Sequence, residues 1–332
     1  RIPEELPGKL STGMQVQVPF GMGNRTIKGY VTGVTDVPDY PVEKIKPVTG
    51  LVDGAVPAES ELIALAAWMK EFYGSTMNQA LKTVLPVKQE VSNRQEKCIV
   101  LAIPREEAEQ LLKEVLHKNF RVKARLLAGL LDHDGKLSSK EAADLKITSS
   151  VIQGMERDGA VRQISRVQYR NPFAGKFEQT GIQRTLTEEQ KNAVDGIWDE
   201  YAQGIRKTYL LEGVTGSGKT EVYMELISRV IAEGKQAIVL IPEIALTFQT
   251  VRRFYERFGD RVSVMHSRLS EGERYDQFLR AKAGEIDVMI GPRSALFTPF
   301  SQIGVMIIDE EHEGAYKSET VPRYDAREVA AV

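Results

Sequence analysis

Cysteine is almost absent from this chain, because Cys98 is the one cysteine among its 332 residues. A single thiol excludes an internal disulfide and any zinc site built from several cysteines. The chain also lacks an apolar run of about 18 residues, the shortest that predicts a membrane-spanning helix. It shows no secretory leader, so we expect a cytoplasmic protein without membrane contact. The net charge of −2 predicts no nucleic-acid partner by itself.

Three regions with different hydrophobic patterns follow one another along the chain. In residues 1–97 the run MQVQV at 14–18 alternates apolar and polar side chains, as a half-buried strand does. Residues 27–34 and 42–48 predict further strands, separated by turn residues. We expect a small β structure here, with a helix over residues 59–73 packed beside it.

The middle region, residues 98–178, has a helical pattern that ends in a strand. Three short helices are predicted over 121–133, 138–145 and 148–159, and a strand follows over 160–170. Hydroxyl residues stand at two of the expected helix starts: Ser138 or Ser139, and Thr148. Three helices and a β wing favour a winged helix-turn-helix, a module that binds DNA or protein partners.

Residues 179–332 alternate apolar strands with amphipathic helices, which predicts a parallel sheet covered on both faces. The expected strands are 208–213, 236–242, 262–267, 286–291 and 305–310. The fold class is therefore multidomain. A small β-rich domain and a winged helix precede an α/β lobe.

A phosphate-binding loop lies at the start of this lobe, since residues 213–220 fit the pattern G-x-x-x-x-G-K-[ST]. The predicted strand before it and helix after it are the context in which backbone N–H groups surround phosphates. Lys219 is expected to reach the β- and γ-phosphates of a nucleotide, and the Thr220 hydroxyl to bind Mg²⁺. The predicted nucleotide-binding residues are Gly213, Val214, Thr215, Gly216, Ser217, Gly218, Lys219 and Thr220.

A second motif, VMIIDEEHEG, follows a predicted buried strand. Its carboxylates lie at the strand's carboxyl end, where open α/β sheets bind ligands. We expect Asp309 to hold Mg²⁺ and Glu310 to orient or deprotonate the attacking water. Upstream, Gln190 fits either the third helical position of a capping box that begins at Thr187 or a residue that recognises adenine, and both roles are compatible.

Other classes of function remain open at this point. A nucleotide kinase or a GTPase is the main alternative, but the guanine-reading motif N-K-x-D is absent. Another alternative is a chain that binds DNA and nucleotide but does not couple nucleotide hydrolysis to work on DNA.

Five motifs together resemble the primosomal replication-restart helicases, the PriA family. They are GVTGSGKTEVY, IPEIALT, MHSRLSEGER, GPRSALFTPF and DEEHEGAYK with PRYDARE, in that order. The resemblance extends over essentially the whole chain and implies a superfamily 2, DEAH-like helicase. It divides the chain into a 3′-end DNA-binding domain (1–97), a winged helix (98–178) and the first RecA-like lobe (179–332).

The resemblance implies ATP-driven, 3′-to-5′ unwinding at stalled forks, with ATP and Mg²⁺ as cofactors. It implies as partners forked and single-stranded DNA, a DNA 3′ end, the single-stranded DNA-binding protein and other primosome proteins, and it implies a monomer. The DNA-contacting residues that it implies are Gly21, Lys46, Pro242, Glu243, Thr247, Arg293, Ser294, Tyr316, Lys317, Arg323 and Tyr324. The segment from Ala315 to Arg327 resembles the family's aromatic-rich loop, whose aromatic and basic residues are expected to stack on DNA and signal to Glu310.

This sequence also departs from the family pattern. Pro322 stands where the family has a tryptophan, and Pro292 where it has a small or hydroxyl residue. We expect the chain to be a fragment, without the Phe-Asp-Tyr that helps hold the 3′ end, the second lobe with its catalytic arginine, or the cysteine clusters. Zn²⁺ is therefore expected only in a missing C-terminal part.

Overall fold

The computed structural model describes residues 1–3, 10–21, 25–38, 40–52, 59–85, 94–168, 185–214 and 216–332. The chain divides into two compact units. Ser92–Tyr169 form one unit, and Arg1–Val91 with Arg170–Val332 form the other. Within the described ranges, no helix is long and apolar enough to cross a membrane.

A three-stranded antiparallel sheet, in the order β2-β1-β3, lies near the start of the chain. Its strands are β1 (Gln15–Phe20), β2 (Arg25–Tyr30) and β3 (Gly50–Leu51). The strand predicted over 42–48 is wrong. Val42–Lys44 form a 3-10 turn instead, and Pro47 has no N–H with which to continue a ladder.

Two helices follow this sheet, α1 (Ser60–Phe72) and α2 (Met77–Val84). The predicted helix over 59–73 is thus confirmed. Met69, Val84 and other buried residues of both helices belong to the same hydrophobic core as residues of the later α/β region, and Tyr30 of β2 packs against that core. The sequence predicted that this helix packs beside the small sheet. It packs mainly on the α/β region instead.

Residues 94–168 form a core of their own, with Leu126, Leu127 and Leu130 fully buried. The elements are β4 (Arg94–Leu101), α3 (Arg105–His117), α4 (Arg121–Asp132), β5 (Lys136–Ser138), α5 (Ser139–Asp144), α6 (Ser149–Arg157) and β6 (Val161–Gln168). The sheet is antiparallel in the order β5-β4-β6. The three predicted helices and the closing strand are present, and α3 is an additional helix.

The α/β region contains a parallel four-stranded sheet in the order β10-β7-β9-β8. Its elements are α7 (Glu188–Ala202), α8 (Lys219–Ala232), β7 (Gln236–Leu240), α9 (Phe248–Phe258), β8 (Val262–Val264), α10 (Glu271–Lys282), β9 (Val288–Gly291), β10 (Ile303–Ile308) and α11 (Ala326–Ala330). Alternate residues of β7 enter two different cores: Ile238 and Leu240 enter one, Ala237 and Val239 the other. The predicted parallel sheet, buried on both faces, is confirmed.

The strand predicted over residues 208–213 is absent. These residues do not pair with β10, which is an edge strand of the sheet, and Leu210 is 76% exposed. An apolar run becomes a strand only where a neighbouring backbone accepts its hydrogen bonds, and here it has no such pairing.

Candidate active site

The predicted phosphate loop joins directly to the amino terminus of α8, whose first residue is Lys219. Gly216 and Gly218 adopt φ angles of +83° and +85°, which only glycine accepts without strain. A Cβ on Gly218 would also overlap the Gln190 side-chain amide. The loop therefore reaches the helix terminus, where unpaired N–H groups and the helix dipole favour an anion. Thr215 lies outside the described residues.

The Lys219 ammonium group lies across this loop. Its Nζ donates to the carbonyl oxygens of Gly213 at 2.6 Å and Val214 at 3.4 Å. Phosphate oxygens are stronger acceptors for an ammonium group than neutral carbonyls are. A nucleotide phosphate can therefore replace these two bonds.

Gln190 uses both ends of its amide locally. Its Oε1 accepts from the Thr187 N–H at 3.0 Å and completes a capping box with the Thr187 side chain. Its Nε2 donates to the carbonyl oxygen of Ser217 at 2.9 Å. The capping role is confirmed, and the amide also supports the phosphate loop; adenine recognition stays a prediction.

The carboxylate motif begins where β10 ends. Asp309 extends the pairing with β7 by one bond, from its N–H to the Leu240 carbonyl at 2.9 Å. Glu310 then has φ of +47°, which costs a non-glycine residue about 1–2 kcal/mol. This turn directs the Glu310 side chain into solvent, and the Nδ1 atom of His312 lies 3.8 Å from its carboxylate.

Tyr223 joins the phosphate loop to the carboxylate motif. Its buried hydroxyl lies 3.3 Å from Thr220 Oγ1 and 3.2 Å from Asp309 Oδ2. Burial, and then the Asp309 charge, raise the pKa of the Tyr223 phenol, so it stays a neutral donor. The phosphate-loop motif does not include this residue, although its position three residues after Thr220 on a helix places the two side chains on the same face.

The side chains at this point fit a magnesium nucleotide. Thr220 and Asp309 offer the hydroxyl and carboxylate oxygens that Mg²⁺ prefers, and one tyrosine hydroxyl reaches both. In the described part of the chain, no three His, Cys, Asp or Glu side chains converge into a metal site. The two oxygens would therefore share the ion with phosphate and water.

The loop after β7 contains three of the predicted DNA contacts, and each has a structural role. Pro242 is buried. Glu243 accepts from the N–H and hydroxyl of Ser267 at 3.3 and 3.2 Å. Thr247 caps α9 by accepting from the Thr250 N–H at 3.2 Å. The bonds of Glu243 and Thr247 hold the loop at the carboxyl edge of the sheet, and both residues remain exposed, whereas the burial of Pro242 contradicts its predicted contact with DNA.

The loop after β9 is joined to the predicted aromatic-rich loop through Arg293. Its Nη1 donates to the carbonyl oxygens of Ala315 at 2.8 Å and Lys317 at 3.0 Å. Ser294, beside it, is exposed, and so are Lys317 and Arg323. Three of the predicted DNA contacts therefore present polar or basic side chains to solvent.

The two tyrosines of that loop are buried, so the structure contradicts their predicted stacking on DNA. Tyr316 is 1% exposed and Tyr324 is 4% exposed, with the Tyr324 ring packed edge-on against Phe297. The Tyr316 hydroxyl donates to the Leu240 carbonyl at 3.0 Å and to the Asp309 carbonyl. Tyr316 thus contacts the carboxylate motif instead of a DNA base.

Gly21 and Lys46 meet in the small sheet region. Lys46 Nζ donates to the Gly21 carbonyl at 2.5 Å, and Gly21 has φ of +70° at the end of β1. The structure brings these two predicted 3′-end contacts together, 25 residues apart in sequence.

Two family models match the chain. Residues 1–86 match the 3′ DNA-binding domain of PriA, and residues 183–330 match the res subunit of type III restriction enzymes. The chain therefore has a 3′ DNA-binding domain followed by a helicase-type domain with a parallel sheet.

Curated relatives are similar along nearly the whole chain. The replication restart protein PriA of Bacillus subtilis is 33% identical over 393 residues, which cover 99% of this chain and 49% of that protein. PriA of Chlamydia muridarum is 34% identical over 349 residues, which cover 100% of this chain and 44% of that protein. PriA of Treponema pallidum is 46% identical over 154 residues, covering 45% and 23%. The chain spans about half the length of the first of these relatives.

Proposed function

Since this chain belongs to the family of replication restart PriA proteins, we propose that it is the DNA-recognising and nucleotide-binding part of an ATP-dependent DNA helicase. The helicase is of superfamily 2, moves 3′-to-5′, and acts at stalled or forked DNA to begin primosome assembly. One observation supports this most: the Tyr223 hydroxyl reaches both Thr220 of the phosphate loop and Asp309 of the carboxylate motif.

The proposed chemistry assigns one role to each residue. Lys219 binds the β- and γ-phosphates in place of its present carbonyl acceptors. Thr220 and Asp309 hold Mg²⁺, which when bound neutralises charge on the phosphates. Glu310, exposed beside Asp309, orients or deprotonates the attacking water.

For DNA, we propose three domains. The boundaries expected from the sequence were 1–97, 98–178 and 179–332, but β4 begins at Arg94 and pairs with β5 and β6, so we propose 1–93, 94–178 and 179–332. Gly21 and Lys46 bind a 3′ end in the first. The middle domain is a winged helix, supported by its helices α4 to α6 and by strands β4 and β6. Ser294, Lys317 and Arg323 contact the single strand. By family membership we further propose the single-stranded DNA-binding protein and other primosome proteins as partners, and a monomer.

Three measurements on the full chain test this proposal: calorimetric binding of ATP with Mg²⁺, binding of forked DNA, and ATP hydrolysis with and without that DNA. Binding of both ligands and hydrolysis that rises with DNA is the expected result. Fork binding without nucleotide affinity would support a non-catalytic DNA-binding chain. Hydrolysis indifferent to DNA would support another class of P-loop enzyme.

A further inference from the structure

The amino-terminal helices contact the end of the α/β region through one tyrosine hydroxyl. Tyr73 caps the carboxyl end of α1, and its hydroxyl donates to Glu328 Oε2 at 2.7 Å. The Tyr73 hydroxyl oxygen also accepts from the Asp325 N–H at 3.3 Å. The ring packs edge-on against Trp68 and Phe72, with centroids 5.9 and 4.9 Å away. Tyr73 is therefore fixed at both its ring and its oxygen.

Asp325 in turn fixes Arg327. The Arg327 guanidinium donates to both Asp325 carboxylate oxygens, Nε to Oδ1 at 2.8 Å and Nη2 to Oδ2 at 2.5 Å. Such a paired arrangement sets the plane of the guanidinium group. The Arg327 side chain holds the pKa of Asp325 below its usual range, so the carboxylate remains charged.

The remaining nitrogen of Arg327 reaches the carboxylate motif. Nη1 donates to the Glu311 carbonyl oxygen at 2.7 Å. On the other side of Glu310, the Tyr316 hydroxyl donates to the Asp309 carbonyl. Side chains thus hold the peptide group before Glu310 and the peptide group between Glu311 and His312, and between them Glu310 keeps its φ of +47°.

We propose that Arg327 is a positioning residue for Glu310, and that Tyr73 connects the amino-terminal helices to it. The proposal rests on the proposed function, in which Glu310 acts on the attacking water. Because α1 and α2 lie within the residues that match a 3′ DNA-binding domain, this chain of bonds links that domain to the hydrolytic carboxylate. Breaking it lowers the rate of hydrolysis and leaves the affinity for nucleotide unchanged.

Two variants of the full chain, Tyr73→Phe and Arg327→Lys, test this connection. Phenylalanine keeps the packed ring and removes the hydroxyl. Lysine keeps the positive charge but lacks the planar guanidinium group that bonds both Asp325 oxygens. Tyr209→Phe is the matched control, because the Tyr209 hydroxyl donates to Glu200, outside this chain of bonds. Three quantities are measured: affinity for a non-hydrolysable ATP analogue, the single-turnover hydrolysis rate, and amide hydrogen exchange over residues 309–313.

We expect analogue affinity to be unchanged in all three variants. Hydrolysis falls about threefold to tenfold in Tyr73→Phe, the effect of one hydrogen bond. It falls about 10²-fold in Arg327→Lys, as expected for a misplaced catalytic group. Exchange over residues 309–313 becomes faster in these two variants and stays the same in Tyr209→Phe.

Exchange at the wild-type rate in both Tyr73→Phe and Arg327→Lys would overturn the inference, whatever the activity of the chain. So would a loss of analogue affinity in Arg327→Lys, since that would make the arginine a part of the binding site. Failure of the wild-type chain to bind the analogue would instead remove the proposed function. The exchange comparison would still decide whether these bonds hold the turn.

Discussion

At the scale of single residues, Lys219 places a positive charge at the phosphate loop, where its Nζ donates to the neutral carbonyls of Gly213 and Val214. We expect Lys219→Ala to weaken ATP binding about 30-fold or more, because the phosphate charge then lacks its partner. Lys191→Ala, at an exposed position of α7, is the control. Equal ATP affinity of wild type and Lys219→Ala in calorimetry would contradict the site.

Glu310 is predicted to act on water and not to bind nucleotide. Glu310→Gln keeps the shape of the side chain and removes the base, so ATP affinity should be unchanged and hydrolysis should fall about 10²–10⁴-fold. Its exposed neighbour offers a control, Glu311→Gln, which should hydrolyse ATP like the wild type. A Glu310→Gln chain that still turns over ATP in single-turnover assays would assign the water-activating role elsewhere.

Sequence alone was sufficient where the geometry is local, and insufficient where it depends on packing. The conformations of Gly216 and Gly218 and the start of α8 follow from neighbouring residues, and the structure has them as the motif predicts. The burial of Tyr316 and Tyr324 depends on contacts with Leu240 and Phe297, which no local pattern reveals. The Tyr223 link to Asp309 likewise spans 86 residues.

At the scale of elements, two hydroxyl residues at helix starts, Ser138 and Thr148, differ in whether they cap their helix. The Ser138 hydroxyl accepts from the Glu141 N–H and completes a capping box. The Thr148 hydroxyl makes no cap bond and pairs with Ser150 instead. Ser138→Ala should lower the free energy of unfolding by about 1 kcal/mol, and Thr148→Ala by less than half as much. Equal effects in urea denaturation would contradict this difference.

The elements themselves were predicted best where apolar periodicity and pairing agree. Strand β7 is continuous and apolar, and it has partners on both sides. Residues 208–213 also contain an apolar run, Tyr209 to Leu211, but it is unpaired. Helix α3 has a charged sequence with two buried side chains, Ala108 and Val115. Hydrophobicity therefore predicted a strand for both β7 and residues 208–213, and it did not predict helix α3.

The Gly21–Lys46 contact leads to a prediction about DNA ends. The Gly21 carbonyl oxygen lies 2.5 Å from Lys46 Nζ, so an additional terminal phosphate would face that oxygen as well as the ammonium group. We expect duplex ends with a 3′-hydroxyl to bind about threefold to tenfold more tightly than ends with a 3′-phosphate. Lys46→Ala removes the ammonium group that would attract a phosphate, so it should widen this difference, whereas Lys28→Ala, exposed in β2, should leave it unchanged. Fluorescence anisotropy without any preference in the wild type would argue against the pocket.

At the scale of the whole molecule, helices α1 and α2 and the α/β region share one core, against which Tyr30 of the small sheet packs, while Ser92–Tyr169 form a second unit. The proposed 3′-end site and the proposed hydrolytic site therefore belong to the same compact unit. This suits a protein in which recognition of a DNA end and the use of ATP are coupled. Neither motif spacing nor composition indicated that α1 and α2 join the helicase core.

The last prediction concerns what this chain does alone. In two-lobed motors, an arginine that contacts the transferring phosphoryl group is worth about 10³–10⁵ in rate. Two arginines near the carboxylate motif, Arg293 and Arg327, already donate to backbone carbonyls, and Arg323 is exposed on the loop that we propose contacts DNA. The chain spans about half of its Bacillus subtilis relative. We propose that this arginine lies in the half of the relative that the chain does not match.

Residues 1–332 should therefore bind ATP or ADP weakly, bind forked DNA, hydrolyse ATP at about 10⁻³ of the rate of a full-length relative or less, and unwind nothing. The comparison is steady-state hydrolysis and strand separation by both proteins on one forked substrate. Hydrolysis per chain should not depend on protein concentration, as expected for the proposed monomer. Fast, DNA-stimulated turnover that rises with concentration would contradict this, since a neighbouring copy would then supply the missing arginine.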